Sequence, residues 1–290
     1  MLRERLVQVE MNPDVELFVA ETTAGGYAET LLVIHGGPDW DHTYLLDPLV
    51  RLEGEHRVVF VDLRGCGRST HGLPSGAYTP AKAASDLAAL IDVLGGEPVD
   101  VLGFSYGGLI AQRLAVTAPA KVRRLIVASS SVLSVPDDAF DGWPERDQRV
   151  ASARRVEDQT DWDAERMRLE ATNRAVLDIW NLDHLPEYLA RLDQVRFSAD
   201  WAAPWIAGSL PSPRLDRIIE RLAGVAKPLL LLQGRQDMTF PASLVAPTLR
   251  LIPSARATIL DDAGHMAHVD QPDAWLAAVG SFLRPDSHGH

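Results

Sequence analysis

Cysteine and lysine are nearly absent from this chain of 290 residues. The single Cys66 cannot close an intramolecular disulfide, which excludes a disulfide scaffold and a cysteine-based zinc site. Only three of the 28 basic residues are lysine, which we read as coding bias rather than function. Basic charge itself is scarce: 40 acidic residues leave a formal net charge of −12, without the basic footprint that nucleic-acid binding requires. The histidines form no H-x-x-x-H or H-E-x-x-H pair, so no metal site is expected. Long apolar runs are missing too. The densest, residues 229–232, is far too short to span a bilayer, and residues 1–6 lack the apolar stretch of a signal peptide. A cytoplasmic protein with neither membrane nor nucleic-acid partner is expected. Hydrophobic content of 46% and charged content of 23% exclude global disorder and fit one large or two small domains.

What the sequence does contain is alternation. Short apolar runs at 31–34, 58–61, 99–102, 125–128, 229–232 and 257–260 read as strands covered on both faces of a parallel sheet. Helical patterns stand between them. Thr79-Pro80 predicts an N-cap and a first-turn proline, followed by an apolar stripe through Ala83, Leu87, Leu90, Ile91 and Leu94. A last helix is predicted over 272–283. This is an α/β pattern. It breaks between about 132 and 215, a stretch with helical patterns at 164–179 and 186–195 and five of the seven tryptophans. Those tryptophans read equally as the core of a helical module or as the lining of an apolar pocket.

The strongest chemical signal is Gly103-Phe104-Ser105-Tyr106-Gly107, a G-x-S-x-G pentapeptide between a predicted strand and a predicted helix. Flanking glycines permit the sharp turn that lifts a serine hydroxyl clear of a sheet. A serine nucleophile needs a base, an orienter for that base and donors for the oxyanion. His265, after the strand at 257–260, is the candidate base, and Asp237, after the strand at 229–232, the candidate orienter. Asp261, Asp262 and Asp270 remain rivals, and Asp237 also fits a helix cap. The glycine turn at His35-Gly36-Gly37-Pro38 makes the N–H of Gly37 a candidate oxyanion donor beside that of Tyr106, with His35 bonding loop backbone. Cys66 reads as a loop residue, and His42, His71 and His268 as surface or pocket-rim residues.

Together, His35-Gly36-Gly37-Pro38, Asp62-Leu63-Arg64-Gly65-Cys66-Gly67-Arg68-Ser69, Gly103 to Gly108, Asp237 and Gly264-His265 resemble the α/β-hydrolase superfamily. The first two segments are similar to its proline iminopeptidase branch, and the similarity runs from about residue 30 to 283. The resemblance implies a mostly parallel sheet flanked by helices, with a helical lid inserted before the catalytic acid. The expected division is a core at 1–131 and 217–285, a lid at 132–216 and a flexible tail at 286–290. It also implies a Ser-His-Asp hydrolase without a cofactor, acting on a small molecule or short peptide. One segment departs from the branch: Asp39-Trp40-Asp41-His42 stands where many members continue with glycine, and reads as a bulky acidic rim. Trp40 is placed by it in the substrate site. An aminopeptidase-like site needs a carboxylate for the substrate's ammonium. By family position that is Glu170, with Asn173 nearby, while Glu145, Asp178 and Glu187 stay open. The chain also looks similar to amide hydrolases that trim an aminoacyl cap from a biosynthetic intermediate. The expected reaction is therefore amide hydrolysis through an acyl-enzyme. Ester, lactone or thioester hydrolysis uses the same constellation, and a ligand receptor with a slow triad is the alternative from another class.

Overall fold

A computed structural model describes residues 2–23, 29–153 and 162–284. Its centre is an eight-stranded sheet in the order β1-β2-β4-β3-β5-β6-β7-β8. The hairpin of β1 (Leu2–Met11) and β2 (Asp14–Thr22) is antiparallel, and β2 pairs antiparallel with β4 (Arg57–Val61). β3 (Thr30–Ile34), β5 (Val99–Phe104), β6 (Val122–Ala128), β7 (Leu229–Gly234) and β8 (Ala255–Leu260) complete it in parallel. The parallel strands are the apolar runs of the sequence, apolar because successive side chains enter two different covered faces. Leu32, Val59, Val101, Leu125 and Leu231 face one side, and Leu31, Phe60, Leu102, Ile126 and Leu230 the other.

The first face is covered by α1 (Pro80–Val93) and α2 (Tyr106–Thr117), through Leu87, Ile91, Ile110 and Leu114. The Thr79 hydroxyl caps α1 by accepting from Lys82 N at 3.2 Å, and Pro80 sits where no N–H is required. Between β6 and β7 stand α3 (Pro144–Ser152), α4 (Ala164–Asp178), α5 (Leu185–Leu192), α6 (Ala202–Ile206) and α7 (Ile218–Val225). No strand interrupts them among the described residues. α7 returns to the first face through Ile218 and Leu222, whereas Ala171, Ala175, Tyr188 and Leu192 of α4 and α5 join the second. α8 (Pro272–Leu283) closes that second face with Trp275, Val279 and Leu283. The residues expected as a tail, 286–290, lie outside the described residues.

A buried arginine ties the periphery to this core. Arg64 donates from Nε to Asp86 of α1 at 2.6 Å and from Nη2 to Glu10 of β1 at 2.8 Å. No helix among the described residues is long and apolar enough to cross a membrane.

Candidate active site

β5 ends at Phe104 and α2 begins at Tyr106, so Ser105 alone makes the turn, at φ 53° and ψ −120°. A residue with a Cβ is strained there, and tight packing on both sides holds it. A Cβ on Gly103 would lie 2.3 Å from Gly107 O, and one on Gly107 2.3 Å from His35 O. Only glycine permits that approach. Ser105 N then donates to Ala128 O of β6 at 2.9 Å, which anchors the turn to the sheet.

His265 Nε2 lies 3.0 Å from Ser105 Oγ, and its Nδ1 lies 3.0 Å from Asp237 Oδ2. Asp237 is fully buried just beyond β7. It also accepts from Gln233 Nε2 at 2.7 Å, Thr239 N at 2.7 Å and Phe240 N at 2.9 Å. A carboxylate facing Nδ1 keeps the proton on that nitrogen and leaves the Nε2 lone pair facing the serine hydroxyl. Burial alone would lower the pKa of His265. The charge and hydrogen bond of Asp237, with the charge of Asp178, outweigh it and raise the value above the usual one. The rival acids are elsewhere: Asp261 is exposed and paired with Arg235, and Asp262 is exposed. Asp270 is buried but accepts from Gly264 N and Trp180 N, both at 2.8 Å, steadying the histidine's loop instead of its ring.

Gly36 and Gly37 stand against the elbow. A Cβ on Gly36 would lie 3.0 Å from Ser105 Cβ, and Gly37, at φ 113°, lines the same cavity as Ser105. Tyr106 N is the first N–H of α2, one of those that a helix leaves without an internal acceptor. His35 Nε2 accepts from Leu63 N at 3.1 Å, so its Nδ1–H donates to Gly36 O at 2.6 Å and pins the glycine turn.

The expected acidic rim is corrected. Asp39 and Asp41 are buried, with Asp39 Oδ1 accepting from Ser198 Oγ at 3.0 Å and Trp201 N at 3.1 Å. Asp41 Oδ2 accepts from Arg196 N at 3.0 Å. Burial pushes the Asp39 carboxyl up to about 6. Of the three, only Trp40 lines the cavity over Ser105, while Asp39, though buried, borders the adjoining cleft. His42 and His268 are likewise not rim residues but fully buried. His42 Nδ1 lies 2.6 Å from Asp62 Oδ1, and His268 Nε2 donates to Tyr44 O at 3.1 Å. His71 alone of the three is exposed, as expected, and is paired with Asp200 at 2.8 Å.

A cavity of about 230 Å³ opens above Ser105 and His265. Met167, Ala171, Arg174 and Asp178 reach it from α4 at positions i, i+4, i+7 and i+11, which share one helical face, with Glu170 on its flank. Asn173 lies roughly 120° around the axis from that stripe and lines neither this cavity nor the adjoining cleft. Glu145 and Glu187 are occupied on the outside, by Arg149 and Arg191, both at 2.7 Å. Glu170 is only loosely paired, 3.9 Å from Arg166. Asp178, which sequence reasoning left open, is the more enclosed carboxylate. Burial raises its pKa, and Tyr188 Oη donates to its Oδ2 at 3.1 Å. The tryptophans divide: Trp143 and Trp180 pack on each other at 6.5 Å, and Trp162, Trp205 and the fully buried Trp201 line an outer cleft.

The family model for the alpha/beta hydrolase fold matches residues 29–272. Among curated proteins, the acetyltransferase component of an acetoin cleaving system from Cupriavidus necator is 32% identical over 89% of this chain. The matched region spans 64% of that relative's length. A proline iminopeptidase of Heyndrickxia coagulans is 25% identical, over 89% of this chain and 91% of its own. Among solved structures, a proline iminopeptidase-related protein from Thermus thermophilus superimposes with a TM-score of 0.69 at 25% identity, covering 98% of this chain and 97% of that one.

Proposed function

The chain belongs to the alpha/beta hydrolase family, and from that premise we propose that it is a serine hydrolase cleaving the amide bond after a small residue with a free amine. The reading rests on the hydrogen-bonded line Asp237–His265–Ser105 opening into a cavity whose wall carries two carboxylates, Asp178 and Glu170, against the one guanidinium of Arg174. Residues 132–216 serve as a lid over a core at 1–131 and 217–285, and the substrate is a small aminoacyl amide or short peptide met in the cytoplasm.

In this mechanism Ser105 Oγ attacks the carbonyl carbon as its proton passes to His265 Nε2. The oxyanion so formed takes hydrogen bonds from Gly37 N and Tyr106 N. Asp237 holds Nδ1–H and stabilises the imidazolium. That imidazolium gives its Nε2 proton to the leaving nitrogen as the carbon–nitrogen bond breaks. Water, deprotonated by His265, then attacks the acyl-enzyme, releasing the acid and restoring Ser105. The substrate's ammonium pairs with Asp178 and Glu170. A buried carboxylate gains most from a cation that enters with the substrate, because burial has already removed its water. Trp40 lines the same cavity.

The test is hydrolysis of aminoacyl anilides with free and N-acetylated amines, beside p-nitrophenyl esters. Acetylation should reduce kcat/KM by roughly 100-fold, the scale of an unpaired buried charge. Ester turnover without preference for the free amine overturns the amide reading and leaves an acyl-transfer site. Ser105→Ala should abolish both turnover and fluorophosphonate labelling; retained activity overturns the serine mechanism itself.

A further inference from the structure

A second cleft, of about 450 Å³, adjoins the Ser105 cavity of about 230 Å³. The two share Gly37, Trp40, Met167, Glu170, Arg174 and Thr239. Gly37 lies next to the elbow, so the boundary between the compartments runs past the place where a scissile carbonyl would sit. The outer cleft adds, among others, Asp39, Trp162, Trp201, Trp205 and Ile206. Trp205 is 62% exposed, Ile206 52% and Trp162 38%, so three large apolar side chains stand in water around one opening. Exposed apolar groups gathered in one place mark a binding site more than scattered ones do.

The platform beneath them is fixed. Trp201, at the start of α6, is fully buried, donates from Nε1 to Arg64 O at 2.7 Å and is held at its backbone by Asp39. One helical turn on, Trp205 is carried by that anchor. Trp205 N donates to Trp201 O at 3.2 Å, and its indole lines the cleft. Elsewhere on the lining, the Arg166 guanidinium lies 4.1 Å above the Trp162 ring and restrains it.

We propose that the outer cleft is the subsite for a flat aromatic leaving amine, held against the tryptophans that line it, Trp205 foremost. This rests on the reading above: Asp178 lines only the inner cavity, so an aminoacyl group bound there leaves the outer cleft for the other side of the bond. The substrate class is then a small aminoacyl group on an aryl amine, or a short peptide with an aromatic second residue.

The test compares wild type with Trp205→Ala and Trp205→Phe on the 2-naphthylamide and the methylamide of one amino acid. The ratio of kcat/KM, naphthylamide over methylamide, should fall about tenfold in Trp205→Ala and recover largely in Trp205→Phe, as loss and return of a ring contact require. An unchanged ratio overturns the subsite. Binding of free 2-naphthylamine, followed by its own fluorescence, needs no acylation. It should weaken about tenfold in Trp205→Ala, and equal binding to both proteins also overturns the subsite. Fluorophosphonate labelling reports Ser105 independently, so a failed serine mechanism and a failed subsite give different results.

Discussion

Replacing Asp237 by asparagine preserves the shape of the side chain while removing what the geometry requires of it. Oδ1 accepts from two backbone N–H groups, those of Thr239 and Phe240, and Oδ2 accepts from Gln233 Nε2 and His265 Nδ1. Asparagine has one acceptor oxygen and one NH2. The oxygen stays with the two backbone donors, which cannot turn, so the NH2 meets the Gln233 amide and the histidine ring. The ring answers by offering Nδ1 as an acceptor. Its proton then sits on Nε2, and Ser105 faces a donor where it needs a base. We expect kcat to fall by about 10³–10⁴, or ~4–5.5 kcal/mol. The unpaired Gln233 donor should cost the fold about 1–3 kcal/mol. The pH profile has a fixed sign. Burial lowers the His265 pKa and Asp237 raises it, so without the carboxylate the acid limb of kcat/KM moves to lower pH. The assay is kcat/KM on a free-amine anilide from about pH 5 to 9, beside Tm. Activity within tenfold of wild type, on an unmoved acid limb, would refute the reasoning.

Three further outcomes follow. Gly107→Ala sets a methyl 2.3 Å and 2.4 Å from the carbonyl oxygens of His35 and Ile34, and should cost at least about 3 kcal/mol in urea unfolding; a native midpoint contradicts that packing. His268, pushed by burial from 6.5 down to about 3, cannot take the proton that the unfolded chain binds, so it destabilises the fold progressively below pH 6.5. His268→Gln should therefore flatten the loss of stability between pH 7.5 and 5 by about 2 kcal/mol, and parallel slopes would exclude the effect. Asp39 is the mirror case: its folded value of about 6 against 3.8 means that stability is lost as pH rises between those values. The advantage of Asp39→Asn over wild type should grow by about 2 kcal/mol from pH 4 to 7 and then level off; a constant difference across that range contradicts it.

The parallel strands were legible because burial on both faces leaves no polar position, and continuous apolar runs follow. Of the hairpin, β1 was not, because it is an edge strand with one row of neighbours. Leu2-Arg3-Glu4-Arg5-Leu6-Val7 carries charges throughout, and Val7 alone among them is buried. Ser105 was legible for a steric reason, since its turn demands glycine at fixed offsets. Asp178 was not: it sits on an ordinary helix, and only the arrival of α4 above the sheet turns that face toward Ser105. His42 and His268 misled because a histidine's partners, Asp62 and the Tyr44 carbonyl, are distant in sequence and carry no local signature. Asn173 misled by proximity, since three residues along a helix from Glu170 is not the face that Met167, Ala171, Arg174 and Asp178 share.

The buried acids of the loops around the elbow explain why the Asp39-Trp40-Asp41 segment is not a rim. Asp39 accepts from Trp201 N, Asp41 from Arg196 N, and Asp270 from Trp180 N and Asn181 N. Each carboxylate thus satisfies backbone N–H groups of the segments that join the helices between β6 and β7, from a stretch that also carries Gly37 or follows His265. Apolar packing cannot substitute for these bonds, because a buried N–H without an acceptor costs about 1–3 kcal/mol. Burial raises the pKa of both Asp39 and Asp270, the cost of placing acceptors there without water. A rim residue selects among substrates and is otherwise dispensable. An anchor sets the distance between the wall bearing Trp201 and the turn bearing Gly37, so its loss alters the site for every substrate alike.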